Sequence, residues 1–210
     1  MTAIPSAPGG QRPMISRDKL DVIRNRYGQV ASWAVWAPVG AKPKSGIADL
    51  DVLDPDRNPG LIALLHARVV LVGLNISRPI ERPFGNFHDG RPRATDYRLR
   101  AGLLGTACWG AYMTDAIKDF ENRCSHDVMG YLRSNPAFEE EQIDALRPEL
   151  DMLGPQRPTL IALGRAAEAI LRRRLAPEFV VIGVPHYAAR MSIANYRAAI
   201  LDRLRHAGID

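Results

Sequence analysis

At 210 residues the chain is long enough to bury one sizeable core and short for two. Its 46% apolar and 24% charged composition is that of a globular protein, and no stretch approaches the roughly 20 apolar residues of a membrane span, which argues against a membrane protein. The net charge of +5 admits polyanions as partners without requiring them.

Residues 1–13 are rich in Pro, Gly and small side chains, lack the apolar centre of a secretory signal, and read as a flexible tail. Residues 14–210 read as one α/β domain, with 14–60 as an N-terminal extension. Within it, Leu20, Ile23 and Tyr27 have the spacing of an amphipathic helix over 15–27. The stretch 38–60 is crowded with Pro, Gly, Asp and Lys and reads as loop, and 61–67 as a short helix. The apolar run Val69-Val70-Leu71-Val72 is the first strand, and it stops at Gly73-Leu74-Asn75-Ile76-Ser77. A helix over 94–104 leads to a second strand, 110–113, which runs into Thr114-Asp115.

Ile143, Leu146, Leu150 and Leu153 define a helix over 138–153, with acidic residues in its first turn and a break or kink expected at Pro148. Strand 159–163 ends at Gly164, helix 165–175 follows, and strand 179–184 ends at Pro185-His186. Ser192 caps the last helix, which carries Ile193, Tyr196, Ile200 and Leu204. Strands alternating with helices predict a parallel sheet covered on both faces. Such sheets place their chemistry outside the carboxyl ends of the strands, so Asn75, Asp115 and His186 are expected to share one crevice.

Two cysteines supply neither a disulfide framework nor four cluster ligands, and Cys108 beside Trp109 reads as a small core residue. A reducing, cytoplasmic setting fits this usage. The five histidines are scattered without HxxxH or HxH spacing, so no metal site is expected.

Several short motifs, taken in order, resemble the uracil-DNA glycosylase superfamily over about 69–204. Gly73-Leu74-Asn75 resembles the first motif of its mismatch-specific branch, and Arg82-Pro83-Phe84-Gly85 the segment whose Phe stacks on the extruded base. Tyr112 to Lys118 with Glu121-Asn122-Arg123, then Leu146 to Leu150 and Leu160 to Arg165, resemble the thermostable iron–sulfur branch. Pro185-His186 stands where the superfamily's second motif has its His. The resemblance implies a three-layer α/β/α sandwich around a four-stranded parallel sheet. It also implies a monofunctional DNA glycosylase, monomeric and without a cofactor, that leaves an abasic site. Asn75 would position the attacking water, His186 would support the departing base, and Phe84 would stack on it, with Phe87 the alternative and one of the two in the core. The missing cysteines exclude that branch's cluster.

Three departures bear on the substrate. Asp115 replaces an Asn that reads the base edge; ionised, it repels uracil O4, whereas a protonated carboxyl accepts from cytosine N4 and donates to N3. Ser77 is small where the uracil-specific branch has a bulky Tyr, leaving room for a C5 substituent. Together they suggest a C5-modified cytosine, such as the glucosylated hydroxymethylcytosine of phage DNA, and a role in antiviral defence. After His186 the usual Pro-Ser is absent, leaving Arg190 or Met191 as the DNA-contacting wedge. The bland readings are a turn at Asn75, a core-capping His186, an Asp115 paired with a cation, and a polar turn at His88-Asp89. Arg172-Arg173-Arg174 reads as a solvated helix face. The other function classes are a uracil or mismatch repair glycosylase, a non-catalytic nucleic-acid-binding protein on this fold, and a hydrolase of free nucleosides.

Overall fold

The computed structural model describes residues 15–154 and 156–209; the tail expected over 1–13 lies outside them. Five strands form one sheet: β1 (Ser32–Trp33), β2 (His66–Asn75), β3 (Ala111–Ile117), β4 (Thr159–Leu163) and β5 (Val181–Val184), in the order β1-β3-β2-β4-β5. β2, β3, β4 and β5 pair in parallel, and β1 adds an antiparallel edge on β3. The sheet is therefore mixed, where a purely parallel one is expected. Two residues are too few to show a period, so β1 leaves no signal in the sequence.

Seven helices accompany the sheet among the described residues: α1 (Arg17–Tyr27), α2 (Leu61–Leu64), α3 (Asp96–Leu103), α4 (Ser125–Ser134), α5 (Pro136–Leu153), α6 (Arg165–Leu175) and α7 (Ile193–His206). The Oγ atoms of Ser16 and Ser192 accept from Lys19 N and Asn195 N, capping α1 and α7. α5 continues through Pro148 to Leu153. Burial of Ile143, Leu146, Leu150 and Leu153 on both sides of the proline outweighs its cost of about 3 kcal/mol.

Alternation along the strands sends side chains to two cores. Val70, Val72, Tyr112, Leu160 and Ala162 pack against α1, α5 and α6, whereas Val69, Leu71, Met113, Ile161 and Leu163 pack against α3 and α7. The chain leaves β2 toward α3 on one face and leaves β4 toward α6 on the other. Adjacent strands whose connections diverge in this way open a crevice at their carboxyl ends.

Candidate active site

A cleft of about 1030 Å³ occupies that crevice, with Gly73, Asn75, Asp115, Gly164 and His186 in its walls. Four strands contribute through their carboxyl ends or the turns that follow. The long segment between β2 and α3 closes the remaining side and brings Ser77, Phe87 and His88 to the cleft.

Asn75 is the last residue of β2. Its Nδ2 donates to the carbonyls of Ile76 at 3.1 Å, Phe120 at 3.1 Å and Asn122 at 2.8 Å. These bonds fix which end of the amide is nitrogen and leave Oδ1 with no protein donor among the described residues. The loop that supplies two of the carbonyls is itself held by Gln142 of α5, whose Oε1 accepts from Lys118 N at 2.7 Å and Asp119 N at 3.1 Å. Asn75 therefore does more than close a turn: it is an acceptor braced from a neighbouring helix.

His186 follows β5 and stacks on Tyr187, ring centroids 4.2 Å apart and planes 24° apart. Its Nδ1 accepts from Ala188 N at 3.0 Å, which places the ring proton on Nε2. Burial lowers its pKa, so the ring is a neutral donor at neutral pH. Gly164 (φ +99°) makes room for it, because a Cβ there would meet His186 Cβ at 3.0 Å. From α3, Arg98 ties down the loop after His186 by donating to Tyr187 O at 3.2 Å and Ala189 O at 2.6 Å.

Asp115 lies inside β3 rather than beyond its end, and is 3% exposed. It sits opposite Gly73 in the β2–β3 register, and a Cβ on Gly73 would lie 2.1 Å from its Oδ1. The missing side chain lets the carboxyl lie across β2 and reach the cleft. Oδ2 accepts from Asn86 Nδ2 at 2.8 Å. Burial pushes the carboxyl up to about 6, against the lowering effect of Asn86 and Lys118. Its side chain pairs with a neutral amide and, among the described residues, with no cation; Lys118 Nζ reaches only the Asp115 backbone carbonyl, at 2.7 Å.

Two expectations are corrected. Phe84 does not line the cleft: it is 1% exposed in the first core, under the Arg24 guanidinium at 5.5 Å. Phe87 takes its place in the cleft wall, edge-on to Tyr187 at 6.5 Å, so Phe87, Tyr187 and His186 form an aromatic side. The loop after His186 leaves both wedge candidates accessible in part: Met191 is half-buried against the second core and Arg190 is exposed. His88 is no solvated turn residue: it is buried beside Trp36, and burial lowers its pKa to about 4. Ser77 is exposed and lines the cleft.

Three groups of arginines are distinct, and the first, Arg78, Arg82 and Arg91, lines the cleft but pairs with Asp89 or Asp51. Arg172 pairs with Glu168 at 2.9 Å, and Arg173 and Arg174 grip Glu139 at 2.6 and 2.7 Å, so the triple arginine is tied to the protein's own carboxylates. Arg93, Arg123 and Arg165 are exposed at the cleft and have no carboxylate partner among the described residues. Nothing in their spacing along the chain marks them as a set. Asn86 and Gln142 likewise escape sequence reading, since a lone amide carries no periodic signal.

No group of His, Cys, Asp and Glu among the described residues is arranged to hold a metal ion. Cys108 is buried, its thiol pushed up to about 12, and Cys124 is exposed. No helix among the described residues is long and apolar enough to cross a membrane. No protein-family model and no curated protein matches the chain.

Proposed function

We propose that the chain is an N-glycosyl hydrolase of the DNA glycosylase kind, acting on an extruded pyrimidine. Within that class, the favoured substrate is a cytosine enlarged at C5, with a role in antiviral defence. The observation that carries the reading is the pair Asn75 and His186 in one crevice, the first stripped to an acceptor and the second to a neutral donor. The α/β architecture, a five-stranded mixed sheet with four of its strands parallel and helices on both faces, lends further support.

Hydrolysis breaks the C1′–N bond, sends its electron pair to the base and forms a new C1′–O bond to water. Asn75 Oδ1 accepts a hydrogen bond from the water and turns its lone pair toward C1′; the same dipole faces the cationic sugar. Nε2–H of His186 donates to the pyrimidine O2 as negative charge grows there. The proton lost by the water ends on the departing base. Phe87 and Tyr187 offer aromatic surface to the flipped ring, an interaction worth about 1–3 kcal/mol per base in single-stranded sites. The unpaired Arg93, Arg123 and Arg165 supply the positive charge a phosphodiester strand needs, which favours a polymer over a free nucleoside.

The test is formation of abasic sites under single-turnover conditions on oligonucleotides carrying uracil, thymine mismatches, cytosine, C5-hydroxymethylcytosine and its glucosylated form. Release from the cytosine forms is expected, with Asp115→Asn shifting preference toward uracil. Release of uracil alone would favour a repair glycosylase; tight binding without release would leave a non-catalytic binding protein.

A further inference from the structure

We propose that Asn86 sets the base specificity of the cleft by locking the Asp115 carboxyl into one orientation, with Oδ2 as the acceptor and Oδ1 as the donor presented to the base. The inference rests on the glycosylase reading above and concerns how that site selects its substrate.

Asn86 is buried, and both of its amide hydrogens are committed, one to Val30 O at 3.0 Å and one to Asp115 Oδ2 at 2.8 Å. Its own Oδ1 accepts from Phe87 N at 3.1 Å, so the amide cannot flip without losing these bonds. The carbonyl oxygen is the stronger acceptor of a neutral carboxyl, so the amide's bond to Oδ2 favours the form with the proton on Oδ1. That Oδ1 lies over Gly73, in space a side chain would fill, and no protein donor among the described residues reaches it. Oδ2 keeps a second lone pair. The pair thus offers a donor beside an acceptor, the complement of the N3 and N4 edge of an aminopyrimidine. It is the wrong partner for uracil, whose N3–H and O4 need an acceptor beside a donor.

Asn86 also joins the two parts of the pocket. The backbone bond to its Oδ1 positions the following residue, Phe87, so one side chain orients both the edge-reading group and the aromatic wall. The charged and titratable groups facing Asp115 are Lys118 from its own strand's end, Glu149 from α5, Asp96 from α3 and Tyr187 from the loop after β5. Lys118 and Glu149 pair with each other, and Asp96 adds repulsion, which leaves Asn86 as the partner that holds the carboxyl.

The test compares the 210-residue chain with its Asn86→Ala variant on oligonucleotides carrying C5-hydroxymethylcytosine or uracil, with base release followed across about pH 4.5–8. In the wild type, release of the cytosine form declines as pH rises through about 6, where Asp115 loses its proton. Asn86→Ala removes a bond that favours the ionised carboxyl, so this limb moves up by about one pH unit. The preference for the cytosine form over uracil drops by about tenfold. A carboxyl-carbon NMR titration of Asp115 in both proteins reads the same displacement without substrate. Should Asn86→Ala fail to fold, Gly73→Ala takes its place: the added Cβ displaces Oδ1, and both the limb and the preference are lost. If base release occurs but Asn86→Ala leaves the titration and the base ratio as in the wild type, the inference is overturned and the glycosylase reading stands. If the wild type releases no base from any oligonucleotide, the glycosylase reading fails, and the NMR titration still decides whether Asn86 governs the Asp115 carboxyl.

Discussion

Two carboxylates lie buried against β3, and they are treated differently. Glu149, on the α5 side, is fully enclosed and has a counter-charge: Tyr112 OH donates to Oε1 at 2.9 Å, and Lys118 Nζ stands 3.0 Å from Oε2 as an ion pair, although Oε2 accepts no hydrogen bond among the described residues. Asp115, on the cleft side, has one neutral amide partner and an oxygen left over. A carboxylate that serves the fold is compensated in place, because an uncompensated buried charge is costly. One that serves a ligand is left incomplete, and its protonation takes up the cost. Some arginines repeat the contrast: Arg173 and Arg174 of α6 are tied to Glu139 of α5, whereas Arg93, Arg123 and Arg165 at the cleft have no carboxylate partner among the described residues.

The comparison breaks most sharply at Glu149. Glu149→Ala leaves the nearly buried Lys118 without its counter-charge and should cost about 3–5 kcal/mol in denaturant unfolding. Asn75→Ala, which frees three carbonyls, should cost about 1–3 kcal/mol and His186→Ala less, and each should lower single-turnover base release by about 100- to 1,000-fold. A mild activity loss with a large drop in stability would assign these two residues to the fold instead.

Asp115→Asn sharpens the contrast through pH. The folded carboxyl titrates near 6 and the unfolded one near 3.8, so between these values the folded state holds a proton that the unfolded state lacks. That contribution to stability is full below about pH 4 and gone above about pH 6. An Asn at this position pays no such penalty. The variant should be more stable than the wild type by about 3 kcal/mol at pH 7.5 and no more stable at pH 3.5, as read by paired urea titrations. Equal stability of the two proteins at both pH values would show that the carboxyl is solvated. The smallest effect belongs to the rim. Replacing Arg93, Arg123 or Arg165 by Gln should reduce the salt dependence of oligonucleotide binding by about one unit of log–log slope each, whereas Arg172→Gln should not change it.

The parts of the fold with a strong period are legible in the sequence. Helices 165–175 and 193–206, the cap at Ser192 and the four parallel strands all follow from apolar spacing and punctuation. The losses have physical causes. α4 carries only Val128 and Leu132 as buried anchors, too few to stand out from its polar neighbours. β2 begins at His66 and β3 runs on through Asp115, because hydrogen bonding between strands continues past the end of an apolar run. Phe84 and Phe87 both stand at φ 63° in one irregular segment, and only its tertiary path decides that Phe84 enters the first core and Phe87 the edge of the second, where it also borders the cleft. Asn75, Asp115 and His186 could be expected in one crevice from the strand ends. The amides that orient them, Asn86 and Gln142, could not, since their role exists only through contacts across 29 residues in the first case and 24 in the second.

The most direct measurement is abasic-site formation by the wild type, Asn75→Ala and Asp115→Asn, under single-turnover conditions, on one duplex carrying either C5-hydroxymethylcytosine or uracil. The structure leads us to expect release of the cytosine form by the wild type, its loss in Asn75→Ala, and a shift toward uracil in Asp115→Asn. Release from neither duplex by the wild type, or equal release by the wild type and Asn75→Ala, would contradict the assignment of this cleft as a glycosylase site.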